Sequence, residues 1–273
     1  MTTSICSLNY QFEENEDNKL RPVLVFLHGF LGSLNDWDYH ISHLRDRFRC
    51  IAIDLPGHGK SINLGSEECY NFKKVSASII DILDRNRIDK CILTGYSMGG
   101  RLALFMAVEY PDRYTGLVIE SASPGLKTEN ERKKRYRDDL KIAEELNLSP
   151  LDSFLQRWYD QPVFLSLKNH PDFADLMKIR MRNIPSELAR SLRNMSIGCQ
   201  PELWGKWESI RIPSLLIAGE NDSKFVAILS EMEDRSKFSR INIVADCGHN
   251  IHFENKNTYI KVLRKFLESL EEV

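Results

Sequence analysis

Short apolar segments alternate along the chain with longer segments in which apolar residues recur every three or four positions. The short segments are apolar on both faces, which is typical of strands in a parallel sheet covered by helices. They predict strands over residues 23–28, 50–54, 91–95, 117–120, 214–218 and 241–244. The longer periodic segments predict helices over residues 71–86, 98–110 and 255–270. The alternation predicts an α/β fold with a mostly parallel central sheet, helices on both faces and right-handed crossovers.

The alternation is interrupted between about residue 125 and residue 205. This stretch is polar, charged and helical in pattern, and it contains no predicted strand. We interpret it as a helical cap inserted between two strands of a core formed by residues 1–124 and 206–273. Open parallel sheets bind ligands at the carboxyl ends of their strands, so we expect the cap to cover that edge as a lid.

Composition excludes several classes of protein. The 273 residues are 42% hydrophobic and 28% charged, as in globular proteins rather than disordered ones. The net charge of −2 offers no overall basic excess for nucleic acid or an anionic membrane. No apolar run approaches the roughly 18 residues of a membrane span, and residues 1–20 lack the regions of a secretory signal.

Cysteine usage points to a reducing compartment. The six cysteines are scattered and form no CxxC pair: Cys6, Cys50, Cys69, Cys91, Cys199 and Cys247. We predict that all six are reduced and that the protein is cytoplasmic. We predict no metal site, because His40 and His43 share a helix face without a third ligand.

The strongest chemical signal is a Gly-x-Ser-x-Gly turn between a predicted strand and a predicted helix. Gly95 and Gly99 flank Ser97, and small neighbours are what a sharp strand-to-helix turn requires. Such a turn presents the serine oxygen above the sheet as a candidate nucleophile. It also directs the backbone N–H of Met98 at any oxyanion formed there.

Partners for the serine are expected in the order acid, then histidine. Asp222 follows the predicted strand 214–218, and His249 follows the strand 241–244. Their order and strand-end positions predict a Ser97–His249–Asp222 triad. Asp246 is the alternative acid, although its place three residues before His249 favours a role as a loop cap.

The loop after the first predicted strand supplies the second expected oxyanion donor. In the segment 28–32, Gly29 allows the backbone to turn, and the N–H of Phe30 is the candidate donor. His28 has two interpretations: it contacts the substrate, or it orders this loop.

Arg101 is an unusual cation in an otherwise apolar helix. It lies in the first turn, where the helix dipole disfavours positive charge, and four residues after Ser97. A buried guanidinium needs an anion. We interpret it as a ligand for a substrate carboxylate, with a structural ion pair as the alternative.

These features resemble the α/β-hydrolase fold over nearly the whole chain. Within it, several segments resemble the 2-succinyl-6-hydroxy-2,4-cyclohexadiene-1-carboxylate synthases, the MenH-type family of menaquinone and phylloquinone biosynthesis. The segments are residues 28–37, 95–104, 120–126, 158–164, 219–225 and 248–252. The combination of Arg101 with the segments WYDQPVF (158–164) and GENDSKF (219–225) is specific to this family.

The resemblance implies a lyase that uses no metal or organic cofactor. Its implied substrate is a small tricarboxylate, 2-succinyl-5-enolpyruvyl-6-hydroxy-3-cyclohexene-1-carboxylate, from which a ring proton and pyruvate are removed. The implied carboxylate ligands are Arg101, Arg135 and Arg180, and Tyr96 and Trp158 fall at pocket positions of the family. The protein is expected to be a monomer or weak homo-oligomer that binds neither nucleic acid nor membrane.

Two other functions compete with elimination. The same triad suits an esterase, a thioesterase or a carbon–carbon bond hydrolase that uses Ser97 as a covalent nucleophile. A ligand-binding protein without activity is the third hypothesis, and the intact triad speaks against it. Within the lyase hypothesis, either Ser97 or His249 takes the ring proton.

Overall fold

A seven-stranded sheet forms the centre of the computed structural model, which describes residues 6–12 and 19–271. The strand order is β1-β3-β2-β4-β5-β6-β7, and every neighbouring pair is parallel except β1 with β3. The strands are β1 (Tyr10–Phe12), β2 (Val23–Leu27), β3 (Arg49–Ile53), β4 (Cys91–Tyr96), β5 (Tyr114–Glu120), β6 (Ser214–Gly219) and β7 (Ser239–Val244). The predicted α/β fold and all six predicted strands are confirmed.

The sheet differs from the sequence prediction at its two edges. β1 was not predicted, because it has only three residues, two of them exposed, and its pairing with β3 depends on a contact distant in sequence. β7 was predicted as apolar on both faces, but Ile243 is 46% exposed. An edge strand has a neighbour on only one side, so its outer residues are not covered.

Helices cover both faces of the sheet. The helices outside the cap region are α1 (Asp38–Leu44), α2 (Phe72–Arg85), α3 (Met98–Glu109), α10 (Ser223–Arg235), α11 (Ile251–Glu254) and α12 (Lys256–Glu271). Residues of α2, α3 and α10 share one hydrophobic core with the sheet, and residues of α1 and α12 share a second. The three predicted helices are confirmed to within one residue at each end.

Between β5 and β6 the described chain is helical and contains no strand. The helices are α4 (Glu129–Leu148), α5 (Leu151–Tyr159), α6 (Leu165–Lys168), α7 (Phe173–Arg180), α8 (Pro185–Asn194) and α9 (Trp204–Trp207). A capping box begins α4: Thr128 accepts from the Glu131 amide, and the Glu131 carboxylate accepts from the Thr128 amide. Leu31 of the β2 loop joins the apolar cluster of these helices. The division into core and cap stays a prediction.

One cysteine prediction is wrong. Cys6 and Cys69 form a disulfide, with 5.7 Å between their Cα atoms, although all six thiols were predicted to be reduced. The two residues are 63 apart in sequence, and spacing at that range does not show which cysteines meet in space. The segment before β1 packs against α2, where the Cys6 amide donates to Ser78 Oγ at 3.1 Å, and this packing brings the two cysteines together. Within the described residues, Cys50, Cys91, Cys199 and Cys247 are not disulfide-bonded, as predicted.

No helix in the described ranges 6–12 and 19–271 has the length and apolar character to cross a bilayer. The prediction about a secretory signal concerns residues 1–20, and 1–5 and 13–18 lie outside the described residues.

Candidate active site

Ser97 lies at a strained turn between β4 and α3. Its backbone has φ 49° and ψ −108°, a conformation that side chains other than glycine rarely adopt. The turn brings backbones into close contact. A Cβ added to Gly95 would lie 2.4 Å from the Gly99 carbonyl oxygen, and one added to Gly99 would lie 2.4 Å from the Leu27 oxygen. Glycine is therefore required at both positions to hold the serine at the strand end.

A hydrogen-bonded chain joins the three residues of the predicted triad. Ser97 Oγ lies 3.1 Å from His249 Nε2, and His249 Nδ1 lies 2.7 Å from Asp222 Oδ2. Because the carboxylate accepts from Nδ1–H, Nε2 is left with its lone pair directed at the serine hydroxyl. Asp222, rather than Asp246, is the acid in contact with His249.

Two backbone amides near Ser97 are free to donate. Among the residues that the structure describes, neither the Phe30 nor the Met98 N–H has an acceptor. The next amide along the loop, that of Leu31, already donates to His58 Nε2 at 3.1 Å. Phe30 and Met98 both line the cavity that contains Ser97. This pair has the composition of an oxyanion hole.

His28 does not contact this cavity, so the prediction that it binds substrate is wrong. Its side chain is fully buried; Nδ1 donates to the Gly29 carbonyl at 2.7 Å, and Nε2 accepts from the Leu55 amide at 2.9 Å. With both ring nitrogens occupied, His28 orders the loop before Phe30, which is the alternative interpretation. Burial lowers its pKa, and the neutral ring fits both hydrogen bonds.

A cavity of about 380 Å³ opens above Ser97 and is walled by both the sheet edge and the cap helices. Arg101 lies in its wall, and its Nη1 is buried without an acceptor among the described residues. Burial lowers the pKa of Arg101 to about 10, and the neighbouring Arg135 adds to this effect. The alternative of a structural ion pair is not seen, and the guanidinium instead lies 5.7 Å from the Phe72 ring centroid.

Arg135 lines the same cavity but has a partner. Its Nε donates to Asp139 Oδ1 at 2.8 Å, and the buried Asp139 also accepts from Ser196 Oγ at 2.6 Å. A single N–H of the guanidinium is used in this way, so its other N–H groups are left for a ligand.

Arg180 is already neutralised by an acid. It makes a bidentate pair with Asp36, with both N–O distances 2.8 Å, and both side chains are nearly buried. Burial alone would lower the pKa of Arg180, but the Asp36 carboxylate outweighs it and raises the pKa. Arg180 lines a small adjoining cavity with Ser97 and Tyr96 rather than the larger one.

The aromatic residues at predicted pocket positions lie beside the triad. Tyr96 is buried, and its ring centroid lies 5.5 Å from that of His249. Trp158 lines the cavity from the cap side and packs edge-on against Phe30 at 5.2 Å. These contacts give the site an apolar wall in addition to its charged residues.

Sequence reasoning missed Lys224 and Phe225, which line the cavity beside His249. The Phe225 ring centroid lies 4.8 Å from that of His249. The signal for Lys224 was available: like Arg101, it is a cation in the first turn of a helix, two residues after a triad member.

Comparison with known proteins agrees with this geometry. The α/β-hydrolase-fold family matches residues 22–256. A Bacillus subtilis protein named provisionally as a 2-succinyl-6-hydroxy-2,4-cyclohexadiene-1-carboxylate (SHCHC) synthase is 39% identical over 94% of both chains. The SHCHC synthase of an Enterobacter species is 35% identical over 90% of this chain and 92% of its own. The chain belongs to the SHCHC synthase family.

A solved structure extends the relationship to three dimensions. The structure of MenH from S. aureus is 33% identical to this chain, covers 96% of it and 98% of its own length, and superimposes with a TM-score of 0.91. The resemblance of the sequence to SHCHC synthases is therefore confirmed.

Proposed function

We propose that this protein is an SHCHC synthase of menaquinone or phylloquinone biosynthesis. It eliminates pyruvate from 2-succinyl-5-enolpyruvyl-6-hydroxy-3-cyclohexene-1-carboxylate. The observation that carries this proposal beyond family membership is the unpaired, buried guanidinium of Arg101 in the same cavity as the Ser97–His249 pair. A buried cation without a counter-ion costs free energy. An anionic substrate bound to Arg101 would supply that counter-ion.

The reaction is a proton removal coupled to loss of a leaving group. The names of substrate and product give the balance: the C2–H electrons form the C2–C3 double bond, and the former C3–C4 π pair moves to C4–C5. The C5–O bond then breaks with its electrons on oxygen. Enolpyruvate leaves and takes up a proton to become pyruvate. No acyl-enzyme is formed.

The triad supplies the base. His249 accepts the Ser97 proton at Nε2, and the alkoxide-like oxygen removes the proton from C2, which is acidified by the adjacent succinyl ketone. Asp222 holds the imidazole by Nδ1 and offsets its charge once it is protonated. The Phe30 and Met98 amides stabilise the enolate oxygen that develops on the ketone.

The cap completes the site. We assign residues 125–205 as a lid over a core of 1–124 and 206–273. The support is that Trp158 and Phe164 of this region line the cavity together with Ser97 and His249. Excluding water strengthens the electrostatic contacts of the enolate and protects it from stray protonation. Arg135 of α4 provides a second guanidinium that can bind a substrate carboxylate. Arg180 is already paired with Asp36, so a substrate carboxylate would have to compete with Asp36 for it.

A serine hydrolase is the second candidate. It is favoured by the same hydrogen-bonded triad with two free amides, which is all that acyl transfer to Ser97 needs. It does not explain a buried arginine without a partner.

The test follows pyruvate and the conjugated diene together. The labile substrate is generated enzymatically in situ, and a panel of short-chain esters is assayed in parallel. We expect pyruvate and diene at equal rates, with little ester turnover. Ester hydrolysis without pyruvate would establish the hydrolase instead. In the Ser97→Ala variant, loss of pyruvate release supports Ser97 as the base, and retention of most of it would assign proton removal to His249.

The Arg101→Met variant tests whether the unpaired Arg101 guanidinium binds substrate. Lost charge-assisted hydrogen bonds should lower kcat/KM by about 10- to 100-fold. The melting temperature should stay level or rise, because the variant removes a buried charge that has no partner in the free protein. Arg137→Met, at an exposed position on α4, is the matched control. A parallel loss of stability and activity would indicate a structural role for Arg101.

A further inference from the structure

Lys224 projects from the first turn of α10 at the mouth of the active-site cavity. It is one of the residues that line the cavity, although solvent reaches its side chain. Its Nζ lies 5.3 Å from the Phe225 ring centroid, and that ring packs against His249. The amine and the catalytic imidazole therefore both lie beside the Phe225 ring.

No ion pair within the described residues accounts for a cation at this position. Among the described residues, no carboxylate forms an ion pair with Lys224; its Nζ lies beside the Phe225 ring, and Asp222 attracts it only at longer range. It lies at the positive end of a 13-residue helix, as Arg101 does at the start of α3. Two helices thus each place a cation against their own dipole, and both cations face the same cavity.

Three positive side chains line one cavity, with Arg135 electrostatically coupled to both of the others. Burial lowers the pKa of Arg101 and of Lys224, and the charge of Arg135 lowers both further. Asp139 neutralises part of this charge. Asp139 does not offset all three charges, so the cations still repel one another, and an anion of more than one charge would stabilise the arrangement.

We propose that Lys224 is a substrate ligand that binds one carboxylate at the mouth of the cavity, while Arg101 and Arg135 bind the others. This inference rests on the proposed function, because the substrate named there has three carboxylates: one on the succinyl chain, one on the ring and one on the enolpyruvyl group. Lys224 would then act in selecting tricarboxylates over compounds with fewer charges. It is a binding residue and takes no part in proton transfer.

The experiment compares three variants in steady-state pyruvate release. Lys224→Met removes the charge and keeps the length of the side chain, and Lys224→Arg keeps the charge. Lys265→Met, on the exposed side of α12, is the matched control. For Lys224→Met we expect KM to rise roughly fivefold, as for a solvent-accessible ion pair, with kcat within about twofold. Lys224→Arg should restore most of the affinity, and the salt dependence of kcat/KM should be weaker in Lys224→Met.

Several results would overturn the inference. An unchanged KM in Lys224→Met, an equal rise in Lys265→Met, or no recovery in Lys224→Arg would each show that the charge of Lys224 does not bind substrate. A fall in kcat at constant KM would assign Lys224 to the chemical step instead.

A binding measurement separates this inference from the proposed function. Calorimetric titration with tricarballylate, a stable tricarboxylate, needs no turnover. If the wild type releases no pyruvate, the proposed function fails. Even then, weaker binding of tricarballylate by Lys224→Met than by Lys265→Met would support the anion site. Equal binding by the two variants would refute that site whether or not pyruvate is released.

Discussion

The pH dependence of stability tests how the oxyanion loop is held. His58 is fully buried; its Nε2 accepts from the Leu31 amide, next to Phe30, and its Nδ1 donates to the Pro56 carbonyl at 3.0 Å. Burial lowers the pKa of His58 to about 3, and nearby His28 adds to this. A protonated ring would have no lone pair for Leu31, so the fold requires the neutral form.

The size of the effect follows from proton linkage. Between pH 7.5 and 5.5 the unfolded chain takes up about 0.8 proton at each histidine, because the ordinary pKa of histidine is about 6.5. The folded chain takes up almost none at His58. Stability is therefore complete above pH 7.5 and falls by about 1.4 kcal/mol at pH 5.5 for this one residue. Burial also lowers the pKa values of His28 and His40, so both residues add to this loss in the same direction.

The assay is urea unfolding followed by tryptophan fluorescence at pH 7.5, 6.5 and 5.5. His58→Gln keeps an acceptor for the Leu31 amide and does not titrate. The substitution can lower stability equally at every pH, so the comparison uses only the change with pH. Between pH 7.5 and 5.5 the variant should lose about 1.4 kcal/mol less unfolding free energy than the wild type. His43→Gln removes an exposed imidazole and is the matched control. If His58→Gln and the wild type lose the same free energy, His58 is not held neutral by the fold and the reasoning is wrong.

Three further predictions concern single contacts. Asp222→Asn should lower the rate of pyruvate release by about 10³- to 10⁴-fold, since the amide no longer fixes the His249 tautomer, while the melting curve stays close to that of the wild type; wild-type rates would show that the acid is misassigned. Asp36→Asn leaves Arg180 buried without its charge partner and should lower the free energy of unfolding by about 3–5 kcal/mol in urea titration, whereas a loss under 1 kcal/mol would mean that the pair is not desolvated. Gly99→Ala places a Cβ 2.4 Å from the Leu27 carbonyl oxygen, so the purified variant should melt at a lower temperature and release less pyruvate; unchanged values for both would contradict the close approach of α3 to β2.

Local sequence patterns were sufficient for the frame of the molecule and the centre of its site. Buried strands and amphipathic helices have periodicities that differ over a few residues, so the central strands and α2, α3 and α12 were predicted close to their observed bounds. The strained turn at Ser97 is also local, because it needs only a strand, small neighbours and a helix in succession. The carboxyl ends of parallel strands meet at one edge, so Asp222 and His249 could be placed near the serine from strand order alone.

Contacts between distant segments were decided only by the tertiary structure. Cys6 pairs with Cys69 across 63 residues, and Arg180 pairs with Asp36 across 144. The sequence shows that a thiol or a charge is present, but the partner depends on how the elements pack. The same reason explains His28: a histidine at a strand end has the same sequence signature whether its ring faces substrate or, as here, the Leu55 amide. Which cations of this chain are left unpaired in the cavity, and thus available to an anionic substrate, is a property of the packed fold.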